Sequence, residues 1–527
     1  MKTTTRRSAI GGAAAIAVLG LLLPTTPTQA EVAERTPNID LVTNLPYALQ
    51  EYPQGTAFAY DPTTRSGGTD IELTTLVVDG MPRDYAVAGS YRNGLQLIDV
   101  TDPQNPVITD TYECGIAQGD VQVFSRGGRT YAAYAQDDIE SDALYTTTCF
   151  QEGFALHGIT TPTNVDNARV INEEGGGLFG TFIVDITDPR DPFLEGWARW
   201  RHGSHNSTVS PDGMWLLNSN QDLIARTPVG GQAAYQIEVF SLADLSAPAK
   251  AFDIPLTTGA GPHDITFNPD GTRAYVAAVS HTVILDTSGL SAAAPSAPQV
   301  IGIVEDPSIS IHHQADPLPV GDKEFLVISD ELAGVIEGSV ACPGGGLHIY
   351  DVTGGLETTP VKVGLFEINQ VLPPGQDHAR CTAHVFRAYP EQGIMTIAWY
   401  GAGVRVLDYS GLANLGLAAG LDPDVPLAGQ GIREIASFWF PQTDAQVGSQ
   451  AWAAKIHHFE DDGSAYIFAN DLDRGFDVFK WDGTAYDGNP GSFLDPEGAA
   501  ALALERGVGR ASVGQSQALP ICVVLPE

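Results

Sequence analysis

Leu95-Gln96-Leu97-Ile98-Asp99-Val100-Thr101-Asp102-Pro103, with Pro106 just beyond, recurs as Thr181-Phe182-Ile183-Val184-Asp185-Ile186-Thr187-Asp188-Pro189, with Pro192 beyond. A β-branched run forms a strand, Thr-Asp-Pro turns it, and the second proline opens the next strand, where its missing N–H is no loss. Weaker copies stand at Ile237–Phe240, Val283–Asp286, Leu347–Val352, Val404–Asp408 and Phe476–Phe479, making seven units. Each copy follows a strand pair, and the hairpins carry turn signals: Asp79-Gly80, Gly127-Gly128, Pro211-Asp212-Gly213, Pro269-Asp270-Gly271, Val320-Gly321, Gln392-Gly393 and Asp462-Gly463. Seven repeated units of four strands predict an all-β chain folded as a seven-bladed β-propeller with four-stranded blades and a short C-terminal extension.

Composition agrees with this reading. With 57 Gly and 35 Pro among 527 residues, and only 17% charged side chains, the chain suits short strands and tight turns rather than long helices. Its formal charge of -37 repels polyanions, so nucleic acid is excluded as a partner. Arg6 and Arg7 precede an apolar run from Ile10 to Leu23, and Thr28-Gln29-Ala30 supplies small residues for cleavage, so residues 1–30 read as an export signal. Thr5-Arg6-Arg7-Ser8-Ala9-Ile10 resembles a twin-arginine signal; Ala9 departs from that pattern, and the general secretory route stays open. A secreted bacterial protein is expected, with no transmembrane anchor in the mature chain.

Residues 31–55 then read as a leader, 56–483 as the propeller and 484–527 as a tail with a short helix near Glu497–Leu504. Blade 7 lacks a fourth strand after Trp481. The expected donor is Thr56–Tyr60, with Ile521–Val524 as the other choice. The strand Phe182-Ile183-Val184-Asp185 resembles the repeat that names the LVIVD-repeat family of secreted bacterial propellers, and the resemblance runs over roughly residues 57–483. It supports the architecture and implies little about activity.

Aligned on the hairpin glycine, the units place Glu72, Asp120, His205, His263, His313 and Lys455 eight residues before it, and His384 nine before it. First strands line a propeller's channel, so a titratable ring is predicted at one channel mouth. His457, two residues after Lys455, is expected to point the same way. A hydrated polar lining would account for Glu72, Asp120 and Lys455. Four imidazoles at one repeat position, out of twelve histidines in the chain, point instead to a transition metal such as Cu, Fe or Zn. His205, His263, His313, His384 and His457 are thus the candidate ligands, and Glu72, Asp120 and Lys455 the candidate catalytic groups. An ammonium would repel an ion in its first shell, so Lys455 fits better as an acid or an anion clamp.

Long connections at 138–178, 222–234 and 331–346 are expected to roof the histidines. Cysteines on that face predict Cys114–Cys149 and Cys342–Cys381 disulfides, leaving Cys522 over. His202 and His378 read as solvent-facing loop residues, and Asp471–Gly475 as a turn rather than a calcium loop. Two functions compete. One is a metal-dependent oxidoreductase acting on a small molecule in the channel, similar in arrangement to selenium-binding-type methanethiol oxidases and carotenoid oxygenases. The other is a non-catalytic extracellular scaffold that binds a protein or glycan.

Overall fold

The computed structural model describes residues 33–47, 67–91, 93–115, 118–136, 145–174, 176–220, 235–256, 261–331, 345–368, 381–414, 431–443, 446–486 and 492–494. Seven antiparallel sheets follow one another along the chain and form the seven blades. The repeated segment is the third strand of every blade, beginning with Leu95–Asp99 in blade 1 and Phe179–Asp185 in blade 2. These strands lie inside their sheets and pack on both faces, which explains why they read as continuous apolar runs instead of alternating ones. Fourth strands such as Val107–Tyr112 lie at the rim and are only partly covered.

Turn chemistry sets the hairpins. Asp79 and Gly80 both adopt positive φ (53° and 78°), as do Gly127 and Gly128 (63° and 81°), the signature of two-residue turns whose twist matches the flanking strands. The core is divided into layers between blades. Val87, Leu97, Phe182 and Trp197 fill the layer between blades 1 and 2; Ile71, Ala88, Phe468 and Phe476 fill that between blades 7 and 1.

The ring is closed by Ile39–Leu45, which pairs with the third strand of blade 7 over Ile39↔Trp481 to Leu45↔Phe476. The closing strand is therefore N-terminal, as expected, but comes from the stretch read as a leader; Thr56–Tyr60 and Ile521–Val524 lie outside the described residues. The cause is visible in the register: pairing slips between Leu41 and Thr43, and the bulge hides the period-two pattern of the segment. Glu34–Arg35 also adds to the edge of blade 6, and Ser492–Leu494 to blade 5. The expected helix near Glu497–Leu504 lies outside the described residues.

Cys114 and Cys149 form a disulfide with Cα atoms 5.2 Å apart. Cys381 is disulfide-bonded as well; its expected partner Cys342, and Cys522, lie outside the described residues. Among the described residues no helix is long and apolar enough to cross a membrane.

Candidate metal centre

His205, His263 and His384 enter their blades at equivalent points. Their backbone N–H groups donate to Ser219 O (2.6 Å), Ala277 O (2.7 Å) and Ala398 O (3.0 Å), so each first strand begins against the end of its second. The inner strand of blade 5 opens with His312 and His313, and a register shift between His312 and Gln314 accommodates both. The four imidazoles of blades 3 to 6 stand in succession, with ring centroids 4.4 Å apart for His205–His263, 4.2 Å for His263–His313 and 4.2 Å for His313–His384. None is more than 2% exposed.

Their hydrogen bonds fix which nitrogens are available. His263 Nδ1 lies 2.9 Å from His313 O, and His384 Nδ1 lies 2.6 Å from Trp452 O. A carbonyl only accepts, so both Nδ1 atoms carry the hydrogen and both Nε2 atoms present lone pairs. His263 Nε2 faces His205 Nε2 at 3.0 Å. His384 Nε2 and His313 Nδ1 are buried without a hydrogen-bond partner among the described residues. Ligand atoms of His263, His313 and Glu331 all lie within 4.8 Å of one another. The Tyr400 hydroxyl donates to Glu331 Oε1 at 2.9 Å, and its ring packs 4.7 Å from that of His384. Tyr400 sits at φ 39°, a conformation costly for a side chain of its size and tolerated where the surroundings over-determine it.

Burial holds all four rings in the neutral form. His205 and His384 are pushed down to about 3, and His263 and His313 well below the usual histidine range, with neighbouring imidazoles adding to the effect on His263 and His313. All four are therefore neutral at pH 7, the form that ligates metals.

The equivalent positions of blades 7, 1 and 2 hold Lys455, Glu72 and Asp120, and further charged side chains come from the inner strands of blades 4 to 6. Lys455 Nζ donates to Asp70 Oδ1 and Glu72 Oε1, both at 3.0 Å, and Arg387 pairs with Glu72 as well. Burial pulls the Lys455 ammonium down, but Asp70 and Glu72 outweigh it and raise its pKa above the usual lysine value. Burial likewise pushes Glu72 up, and Arg387 with Lys455 bring it below the usual carboxylate value. Lys455 is thus held by its own carboxylates. Asp120 accepts from the Ser207 N–H at 3.2 Å. Its pKa rises well above normal through burial and the charges of Asp70 and Asp264, while Asp264 is pushed up to about 7 by desolvation and by the neighbouring Asp316 charge.

These groups line a cavity of about 1060 Å³ that runs along the inner strands to Pro211, Pro269 and Asp322 at the hairpin end. Its inner end is formed by Asn206, Asp264, Gln314 and Val385, each the residue that follows one of the four histidines.

Three expectations need correction. His457 does not join the imidazoles: its Nε2 lies 3.3 Å from Asp84 Oδ1, at the seam between blades 7 and 1. Pairing slips between Ile456 and Phe459, and this irregularity breaks the period-two rule on which its placement rested. The first helix of the first long connection, Thr148–His157, does not lie over the histidines. It packs on the rim of blade 2, with Phe150 against Phe182 and Gly153 against Trp197. His202 is buried rather than solvent-facing, 5.9 Å from Trp200. The connection at 222–234 and His378 lie outside the described residues.

Sequence reasoning missed Glu331, Tyr400 and Trp452. Glu331 is the first residue of the third long connection, so a carboxylate at the root of an insertion facing the ring was the available signal. Tyr400 and Trp452 carry no polar motif.

The fold is a seven-bladed β-propeller, and a buried group of imidazoles with one carboxylate stands where the inner strands of blades 3 to 6 begin. No protein-family model and no curated protein matches the chain. Solved structures similar to it include a putative 6-phosphogluconolactonase from Bacteroides uniformis ATCC 8492, at 14% identity and a TM-score of 0.38 over 65% of this chain and 82% of that one. A functionally unknown protein from Desulfotomaculum acetoxidans DSM 771 matches at 13% identity and a TM-score of 0.39, over 65% and 83%. The periplasmic gluconolactonase PpgL of Pseudomonas aeruginosa matches at 12% identity and a TM-score of 0.33, over 63% and 74%.

Proposed function

We propose that the chain is an exported LVIVD-repeat propeller that holds one transition-metal ion, copper, iron or zinc, at His263, His313 and the Glu331 carboxylate, with His205 and His384 on either side, and acts as a metal-dependent oxidoreductase on a small molecule. The observation that carries this reading is the set of buried ring nitrogens. An unpartnered buried polar atom costs about 1–3 kcal/mol, and two such ring nitrogens, His313 Nδ1 and His384 Nε2, sit in one cluster. Anchoring of His263 and His384 through Nδ1 to main-chain carbonyls is the outer-shell support that metal-binding imidazoles ordinarily have. The 3.0 Å separation of His205 and His263 Nε2 is what two nitrogens about 2.1 Å from one ion make near a right angle.

When bound, such an ion supplies Lewis acidity or one-electron chemistry. The protein's own residues do the rest. Tyr400 orients Glu331, and the four neutral rings exclude water. Asp120, its pKa raised by burial and by the charges of Asp70 and Asp264, stands near the inner end of the cavity, and Lys455 is fixed by Asp70 and Glu72. The Cys114–Cys149 bridge supports an oxidising compartment.

Metal analysis of the full chain tests the proposal. One equivalent of Cu, Fe or Zn is expected, and it should be absent from a His263→Ala, His313→Ala double variant. Metal-free wild-type protein with a normal fold would overturn the reading and leave a scaffold that binds a protein or glycan.

A further inference from the structure

A second group of metal-ligating side chains lies away from the channel, on the seam where the ring closes. We propose that Asp84 of blade 1 and His457 and His458 of blade 7 form a surface site for Zn2+ or a similar borderline divalent ion, which staples the last blade to the first. The proposal stands independently of the channel centre.

The geometry is specific. His457 Nε2 lies 3.3 Å from Asp84 Oδ1, and His458 Nε2 lies 3.3 Å from Asp84 Oδ2. Two donors each about 2.0–2.1 Å from one ion in a tetrahedral arrangement are about 3.3 Å apart. One ligand atom from each of the three residues falls within 4.8 Å of the others. Thr75 holds the carboxylate, donating to Asp84 Oδ1 at 2.7 Å, and its oxygen also lies 3.1 Å from His457 Nε2.

Consecutive residues of a regular strand point to opposite faces, so two neighbouring histidines should not meet one carboxylate. Here they do, with ring centroids 3.7 Å apart, because the strand slips register between Ile456 and Phe459. Bulges re-aim side chains in this way at functional positions. The His458 side chain remains 61% exposed, which leaves a face of the site open to water or a fourth ligand. An ion here would tie the inner strand of blade 7 to both strands of the first hairpin of blade 1, through Thr75 and Asp84, which pair with each other.

Titration of chelator-treated full-length protein with Zn2+, followed by calorimetry and thermal melting, tests the site. A Zn2+ equivalent weaker than that of the channel centre is expected, with a rise in melting temperature as it fills. His458→Ala and Asp84→Asn should each weaken this equivalent at least about tenfold and abolish the rise. The His263→Ala, His313→Ala variant should retain it. His458 is exposed enough that its alanine variant keeps the fold, which far-ultraviolet circular dichroism checks. Absence of the weak equivalent in wild-type protein, or its survival in both single variants, overturns the proposal. Failure of the channel reading shows differently, as loss of the tight equivalent alone.

Discussion

Replacing Lys455 with methionine removes the one ammonium shared by Asp70 and Glu72 while keeping much of the side-chain volume. The lysine side chain is 5% exposed, and its partners are 8% and 17% exposed. Glu72 would keep Arg387, but Asp70 would lose the ammonium 3.0 Å from its Oδ1 at a buried position. Breaking a buried pair from one side costs about 3–5 kcal/mol, because the remaining charge is stranded. That is a large fraction of the 5–15 kcal/mol that ordinarily holds a domain together. Urea unfolding at pH 7 should therefore show a strongly lowered midpoint for Lys455→Met, and Asp70→Asn in the same background should restore about half of the loss or more. The cycle isolates the pair, since each single variant leaves one partner behind. Metal content should not change, because Lys455 is held by carboxylates outside the imidazole cluster. A loss under about 1 kcal/mol, or purely additive effects, would mean that the pair is solvated and that the charged part of the ring is not built as described.

Two further outcomes are expected. His205 and His384, held near about 3, stay neutral while the unfolded chain takes up protons below about 6.5, so each withdraws about 2 kcal/mol of stability from the metal-free protein between pH 7 and pH 5. Asp264 and Glu238, raised to about 7, act in the opposite sense and gain as the pH falls. The comparison is therefore the pH slope of the urea midpoint in wild type against a His205→Leu, His384→Leu variant, which should fall less; equal slopes would refute the assignment. Deleting residues 33–45 should expose the outer edge of blade 7 and move the protein from its chromatographic peak into aggregate; an unchanged peak with the same melting point would contradict the closure.

The architecture was legible because every blade repeats two local signals, an apolar third strand and a glycine that must take positive φ at its hairpin, as Gly213, Gly271 and Gly463 do. The same repetition revealed the cluster: four histidines at equivalent inner-strand positions had to converge if the blades formed a ring. What escaped were features that depend on broken regularity. The bulge after Ile456 turned His457 away from the channel, and the one after Leu41 concealed the closing strand. Glu331 and Tyr400 come from connections between strands, where no repeat position indicates a direction.

The pairing of Ile39–Leu45 with Phe476–Trp481 sets a timetable for the chain as it is made. A ribosome adds roughly 5–20 residues per second, so the first strand waits on the order of tens of seconds for its partner to be synthesised. During that interval six blades can stack while the circle stays open, with a bare strand edge at its end. Any factor that shields the emerging N-terminal segment over that period would govern how much of the protein reaches its closed form.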